Sequence, residues 1–277
     1  MNRKPSLLES AATHVVLMIA VAFSLYPILW VISIAFSGTR PPEARVLPVI
    51  TDATTAHLTD VVTHPLFLKQ FANSLVVSIM TALVGVVIAI PTAYALARFR
   101  FVGKDTGVRT LLATQMFPTV ASAIPLYLLL FKLGLLNSRT GLVLCYASTS
   151  VPFAIFQLRA AFEAIPIDLE EAAMVDGATR FQAFLKVALP AARPAIAVTA
   201  LFAFMSAYNE YVLAVTLLSK EEMFTLPVLL KSFIGEYKQE WDKFAAGSLV
   251  VSVPVMALFY VAQRHLVSGL TSGGVKG

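Results

Sequence analysis

Hydrophobic positions in this chain come in long unbroken runs rather than in stripes of period 3.6 or 2. A helix that crosses a bilayer needs roughly 20 apolar residues. Read from one charged residue to the next, the chain offers six such stretches, with spans expected at about 13–37, 72–97, 110–131, 140–158, 194–218 and 245–263. Five of them lack Asp, Glu, Lys and Arg, and the stretch 194–218 holds one acid, Glu210. Core helices of soluble proteins show a polar face and shorter runs, so the pattern predicts an all-α integral membrane protein of six helices in a single domain, 1–277. Proline lies inside most runs, at Pro27, Pro91, Pro118, Pro125, Pro152 and Pro254. Bilayer helices accept it where neighbours re-satisfy the freed carbonyls, so kinked helices are expected. The first run follows Arg3 and Lys4, yet it is longer than a signal-peptide core and no A-x-A pattern follows it. It is expected to be a retained helix.

Composition sharpens the picture. Charged residues make up 13% of the chain, against about 25% in soluble domains, and the mean hydropathy is +0.78. An ordinary soluble enzyme is excluded. The net charge of +5 comes from basic residues that punctuate the apolar runs, whereas a nucleic-acid partner needs them gathered on one face. The lipid bilayer is the expected environment and nucleic acid is not an expected partner. The connections 98–109 and 159–193 each carry four Lys or Arg. By the positive-inside rule they are cytoplasmic, as are both termini, in the cytoplasmic (inner) membrane. The single Cys145 rules out an internal disulfide and CxxC chemistry.

The connection 166–190 has the punctuation of two short helices. Pro166 breaks the preceding helix, Asp168-x-x-Glu171 has the form of a capping box, and Gly177 is the residue type that ends a helix at positive φ. Thr179-x-x-Gln182 is a second capping-box pattern, opening an amphipathic segment that closes at Pro190. Such a pair rests on lipid or docks in a protein groove. Lipid-surface helices are usually basic and the first helix here is acidic, so the groove is the better partner.

Glu171-Ala172-Ala173, Gly177, and then Val187-Ala188-Leu189-Pro190 resemble the EAA loop of ABC-importer permeases, with Val187 where that pattern has Ile. Asn73-Ser74-Leu75, Tyr94-Ala95-Leu96-Ala97-Arg98, Gln115-Met116-Phe117-Pro118 and the final Gly269 to Gly277 extend the resemblance along the chain to the MalG-type sugar permeases. The resemblance implies a type I ABC importer permease (MetI/MalG-like) fold. It also implies that Glu171, Ala172, Ala173, Gly177, Val187, Leu189 and Pro190 couple the chain to an ATPase. The implied partners are a MalF-like second permease subunit, two copies of an ABC ATPase subunit and an extracytoplasmic sugar-binding protein. The implied tail, 265–277 with Gly273 and Gly274, enters the ATPase interface, and the last outer loop, with Tyr237, Gln239 and Trp241, contacts the binding protein. ATP and Mg would belong to the ATPase subunits, with no cofactor and no metal on this chain.

An acid at membrane depth costs roughly 2.5–3.5 kcal/mol on insertion scales and faces a cavity or a partner. Glu210, in Tyr208-Asn209-Glu210-Tyr211, is therefore a candidate for the substrate pathway, for a structural pair or for proton coupling. Tyr208, Asn209 and Gln115 join it as pathway candidates. No G-x-x-x-x-G-K-[ST] phosphate loop and no catalytic constellation occurs in the sequence, so the chain is not expected to be an enzyme and names no catalytic residue. The expected function is sugar import of the maltose, maltodextrin or trehalose kind. The alternatives are another oligosaccharide or polyol, or a stand-alone secondary transporter, which commonly shows two similar halves that this chain lacks.

Overall fold

A computed structural model of the chain describes residues 6–38, 47–235 and 239–273. In chain order its helices are α1 (Leu7–Phe36), α2 (Ala56–Val62), α3 (Phe67–Arg98), α4 (Lys104–Gln115), α5 (Thr119–Lys132), α6 (Arg139–Ala164), α7 (Asp168–Val175), α8 (Arg180–Ala183), α9 (Leu189–Ala191), α10 (Arg193–Tyr208), α11 (Val212–Leu217), α12 (Leu226–Phe233) and α13 (Trp241–Gly273). α1, α3, α6 and the Trp241–Gln263 part of α13 are each long and apolar enough to cross a bilayer. Two bent pairs bring the spans to as many as six: α4 with α5, bent by 102°, and Arg180–Ala191 with α10, bent by 69°.

Kinks are expected at proline, and the bend between α4 and α5 falls at one, Pro118. Pro118 has no N–H and disfavours helical backbone at Phe117 before it. The chain turns there, and Pro118 itself, at ψ 131, becomes the N-cap of α5. Pro190 likewise cannot donate to the carbonyl one turn back. The ladder ahead of it widens into a π turn over Phe184–Ala188, where the Leu189 N–H reaches the Phe184 carbonyl. The stretch 194–218 also divides, α10 ending at Tyr208 and α11 starting at Val212. α13 runs to Gly273, past the expected end at 263.

Chain packing forms two compact units, Met1–Phe67 with Leu230–Val253 and Leu68–Leu229 with Pro254–Gly277. In the first unit, α1 starts on a reciprocal cap between Ser6 and Glu9. None of its most apolar stretch is buried, so this surface is left for lipid or another chain. His57 lies in α2, largely covered. Its Nε2 is 3.0 Å from the Ser37 carbonyl and its Nδ1 3.2 Å from Asp242. Gly247 lets α13 approach closely, since a Cβ there would lie 2.3 Å from a Leu230 methyl.

Among the described residues of the second unit, two apolar clusters stand out. One joins α3, α5, α6 and α11 through Val77, Leu130, Leu142, Tyr146, Leu213 and Leu217. The other joins α3, α6 and the segment around α9 through Ala93, Tyr94, Ile155, Leu158, Phe162 and Ala188.

Candidate functional site

The segment Asp168 to Pro190 folds as a hinged helix pair. Its first half begins one residue earlier than the sequence suggests. Ile167 already has helical backbone and caps α7 without a side-chain bond, and its carbonyl accepts the Glu170 and Glu171 amides at 2.9 and 3.1 Å. Asp168 therefore lies inside the helix, and the expected Asp168–Glu171 capping box does not form. Asp168, Glu170 and Glu171 fill the first turn instead, where negative charge is favoured by the helix dipole. The far end is a Schellman motif. Gly177, at φ +91, donates its N–H to the Met174 carbonyl, and the Ala178 N–H reaches back to Ala173. Open space surrounds the missing Cβ, so backbone conformation and not crowding calls for glycine.

α8 follows at once on the expected second box, Thr179 N–H donating to Gln182 Oε1 at 2.8 Å and Gln182 N–H to Thr179 Oγ1 at 3.2 Å. Glu171, Ala172 and Gly177 are exposed, while Ala173, Val187, Leu189 and Pro190 are half-buried. Val175 and Phe181 are 87% and 68% exposed. The pair thus presents acidic and apolar side chains together.

What fixes α7 from behind is Glu170, which the motif reading passed over in favour of Glu171. Glu170 is buried, its Oε1 accepting from Arg98 Nε at 2.7 Å and its Oε2 from the Tyr94 hydroxyl at 2.5 Å. The signal was present in the sequence as Tyr94 and Arg98 one turn apart and as two adjacent acids. Which acid turns inward is decided by the helix face, and that depends on where α7 starts. Arg180 covers the Phe99 ring at 5.6 Å beside this cluster.

The pathway candidates separate. Gln115 ends α4 at the 102° bend, its Nε2 3.3 Å from the Thr149 carbonyl. It lines a hollow of about 550 Å³ together with Thr110, Thr114, Phe117, Thr119, Ser122, Ser148 and Thr149. Glu210 sits in the break between α10 and α11 and folds back on the chain, accepting the Leu213 amide at 3.0 Å and the Ala214 amide at 3.2 Å. It serves as the cap of α11. The Tyr146 hydroxyl is buried and finds no hydrogen-bond partner among the described residues. Tyr208 is buried, stacked on Phe204 at 5.3 Å, and Asn209 is exposed.

The motif Asn73-Ser74 pins the loop before α12. Asn73 Nδ2 donates to the Glu222 and Phe224 carbonyls at 2.8 and 2.9 Å, Gln70 Nε2 to Glu221 at 2.7 Å, and Ser74 Oγ accepts the Leu226 amide at 2.7 Å. Lys69 bonds Glu222 at 2.7 Å and holds its carboxyl below the usual carboxylate range. Of the expected binding-protein contacts, Gln239 pairs with Ile234 in an isolated bridge. Trp241 is half-exposed at the start of α13, its ring edge-to-face with Phe244. Tyr237 lies outside the described residues. At the expected tail, Gly273 ends α13 and Gly274 lies outside the described residues.

Apolar helices long enough to span, two bent helix pairs and a hinged helix pair mark a multi-pass membrane protein. Residues 85–272 match the family model described as binding-protein-dependent transport system inner membrane component, and the chain belongs to that family. It is 34% identical to the trehalose transport system permease protein SugB of Mycobacterium tuberculosis, over 94% of this chain and 95% of that protein. It is 37% identical to the diacetylchitobiose uptake system permease protein DasC of Streptomyces coelicolor (96% and 95%). It is 35% identical to the maltose/maltodextrin transport system permease protein MalG of Vibrio parahaemolyticus (96% and 95%). Among solved structures, a chain of a bacterial ABC transporter that imports the acidic polysaccharide alginate matches with a TM-score of 0.77 at 28% identity, over 95% of this chain and 99% of that one. The fold is that of an ABC importer permease.

Proposed function

We propose that this chain is the transmembrane permease subunit of an ATP-driven importer of uncharged sugars, maltose, maltodextrins or trehalose in the first place. The observation that carries this reading is the hinged pair α7 and α8, which offers acidic and apolar side chains on an anchored, glycine-jointed support. That surface suits a groove on an ATPase subunit, with Glu171, Ala172, Ala173 and Gly177 at the contact and Val187, Leu189 and Pro190 leading back into the membrane. Two ATPase copies carrying ATP and Mg, a MalF-like second permease subunit and an extracytoplasmic sugar-binding protein complete the complex. Both termini and the α7–α8 joint lie on the cytoplasmic side of the inner membrane.

The hollow at the α4–α5 bend supports the choice of sugar. Irregular backbone at membrane depth is tolerated where it is buried or lines a cavity. Here the described lining mixes hydroxyls and Gln115 with apolar Ala113, Phe117, Pro125 and Leu126, and includes no charged side chain. Thr114, Ser148 and Thr149 donate to their own helix, which leaves their oxygens as acceptors for a ligand rich in hydroxyl donors. Asn209 and Tyr208 lie at the second break and are assigned to the same route, with Glu210 shaping it as a cap. Gln239 and Trp241, with Tyr237, are the proposed contacts to the binding protein, and Gly273 and Gly274 to the ATPase interface. The diacetylchitobiose relative supports a second reading, another neutral oligosaccharide or a polyol.

The test is ATP hydrolysis by the chain purified with its neighbouring permease and ATPase subunits in nanodiscs, with and without binding protein plus maltose or trehalose. Stimulation by the loaded binding protein is the expected result. Failure of any ATPase subunit to co-purify would overturn the reading in favour of a stand-alone transporter.

A further inference from the structure

Tyr94 and Arg98 close α3 on one face, a single turn apart, and what they hold is not α3. The Arg98 guanidinium bridges two neighbours at once, its Nε donating to Glu170 on α7 at 2.7 Å and a terminal nitrogen donating to the Ile165 carbonyl, where α6 ends, at 2.9 Å. The Tyr94 hydroxyl takes the second oxygen of Glu170. Both oxygens of the carboxylate are therefore used, and the Arg98 and Glu170 side chains are 10% and 5% exposed. The Tyr94 ring packs against Phe184 in the π turn at 4.4 Å and against Phe162 on α6 at 5.5 Å. Three elements thus converge on the end of a 32-residue helix.

Apolar contacts let helices slide and roll, whereas directional bonds to a planar guanidinium fix both distance and angle. We propose that Arg98, Glu170 and Tyr94 form a clamp that makes α7 and the Arg98 end of α3 move as one body, so that a displacement of α7 becomes a displacement of a membrane-spanning helix. They are positioning residues, acting through α7. The inference rests on the reading of α7 as the helix that docks on the ATPase. It adds a transmission path outside the Glu171 to Pro190 loop, through Tyr94 and Arg98 on a different span.

The experiment is sugar taken up per ATP hydrolysed, measured with the intact complex in proteoliposomes loaded with binding protein and the sugar that stimulates it. Glu170→Gln keeps the shape and removes the charge, and uptake per ATP is expected to fall at least about tenfold. Arg98→Lys keeps the charge and loses the planar bridge, with a smaller fall. Tyr94→Phe is expected to lose about two- to threefold. A wild-type ratio in both Glu170→Gln and Arg98→Lys overturns the clamp. A parallel loss of complex, hydrolysis and uptake at an unchanged ratio does so too, because it marks a purely structural pair. If Glu170→Gln does not assemble, Arg98→Lys carries the same criterion. Glu171→Ala in the same assay tests the docking reading separately. A wild-type ratio there beside a broken one in Glu170→Gln would retire that reading and leave the clamp.

Discussion

Two neighbouring acids in α7 have opposite fates, and a 100° step around the helix is the reason. Glu170 turns toward Tyr94 and Arg98 and is buried, while Glu171 stays exposed. Removing one partner of a buried pair leaves the other charge uncompensated, at a cost of about 3–5 kcal/mol. Glu170→Ala should therefore lower the unfolding temperature of the purified complex clearly, and Glu171→Ala should leave it nearly unchanged. Glu210 obeys a different local rule. Its carboxylate satisfies the orphan amides of Leu213 and Ala214, as an N-cap does, so Glu210→Ala is expected to cost about 0.5–2 kcal/mol. Hydrogen exchange should speed up first at those two amides. Glu222 brings a pH dependence. Its carboxyl is held below the ordinary value of 4.5 chiefly by its hydrogen bond from Lys69. Its contribution is fully present above that ordinary value and is lost as pH falls through the lower folded value. Amide protection at Glu221 to Phe224 should drop over that acidic window, and Lys69→Met should abolish the pH dependence.

At the scale of elements, the joint and the bends are set by a few residues with special backbone demands. At φ +91 Gly177 adopts a conformation that costs an L-residue roughly 1–2 kcal/mol, more when β-branched. Gly177→Val is expected to reduce uptake per ATP strongly and Gly177→Ala less, with assembly retained in both because no atom crowds the site. The same-assay ratio checks it. Gly177 and the Thr179–Gln182 box were legible in the sequence, since each is a local motif whose bonds lie within a few residues. The Asp168–Glu171 pattern misled, because the chain enters α7 with Ile167 already helical, a choice made by the turn at Pro166 and not by the capping side chain. The break at Gln115 to Pro118 was written in Pro118 but hidden by the apolar run around it, which by hydropathy alone reads as one span.

For the molecule as a whole, run length was the dominant signal. α1, at 30 residues, is about 45 Å long and exceeds a hydrocarbon core of about 30 Å, and its apolar side chains face outward as far as Leu29. A charge placed in its middle meets lipid or a neighbouring chain, so Val21→Arg should weaken membrane insertion by about 2.5–3.5 kcal/mol, read as a lower membrane-integrated fraction in an insertion assay.

The sequence by itself determined the class of solvent, the number of apolar runs, the hinge at Gly177 and the membership suggested by the EAA spacing. Each of these follows from short-range pattern and from the energy of exposing charge to lipid. Tertiary structure alone decided which acid is buried and what Asn73, Tyr94 and Arg98 do. Those outcomes depend on partners about 70 to 150 residues away in the chain, and a hydrogen bond between distant segments leaves no periodicity in the sequence from which it could be read.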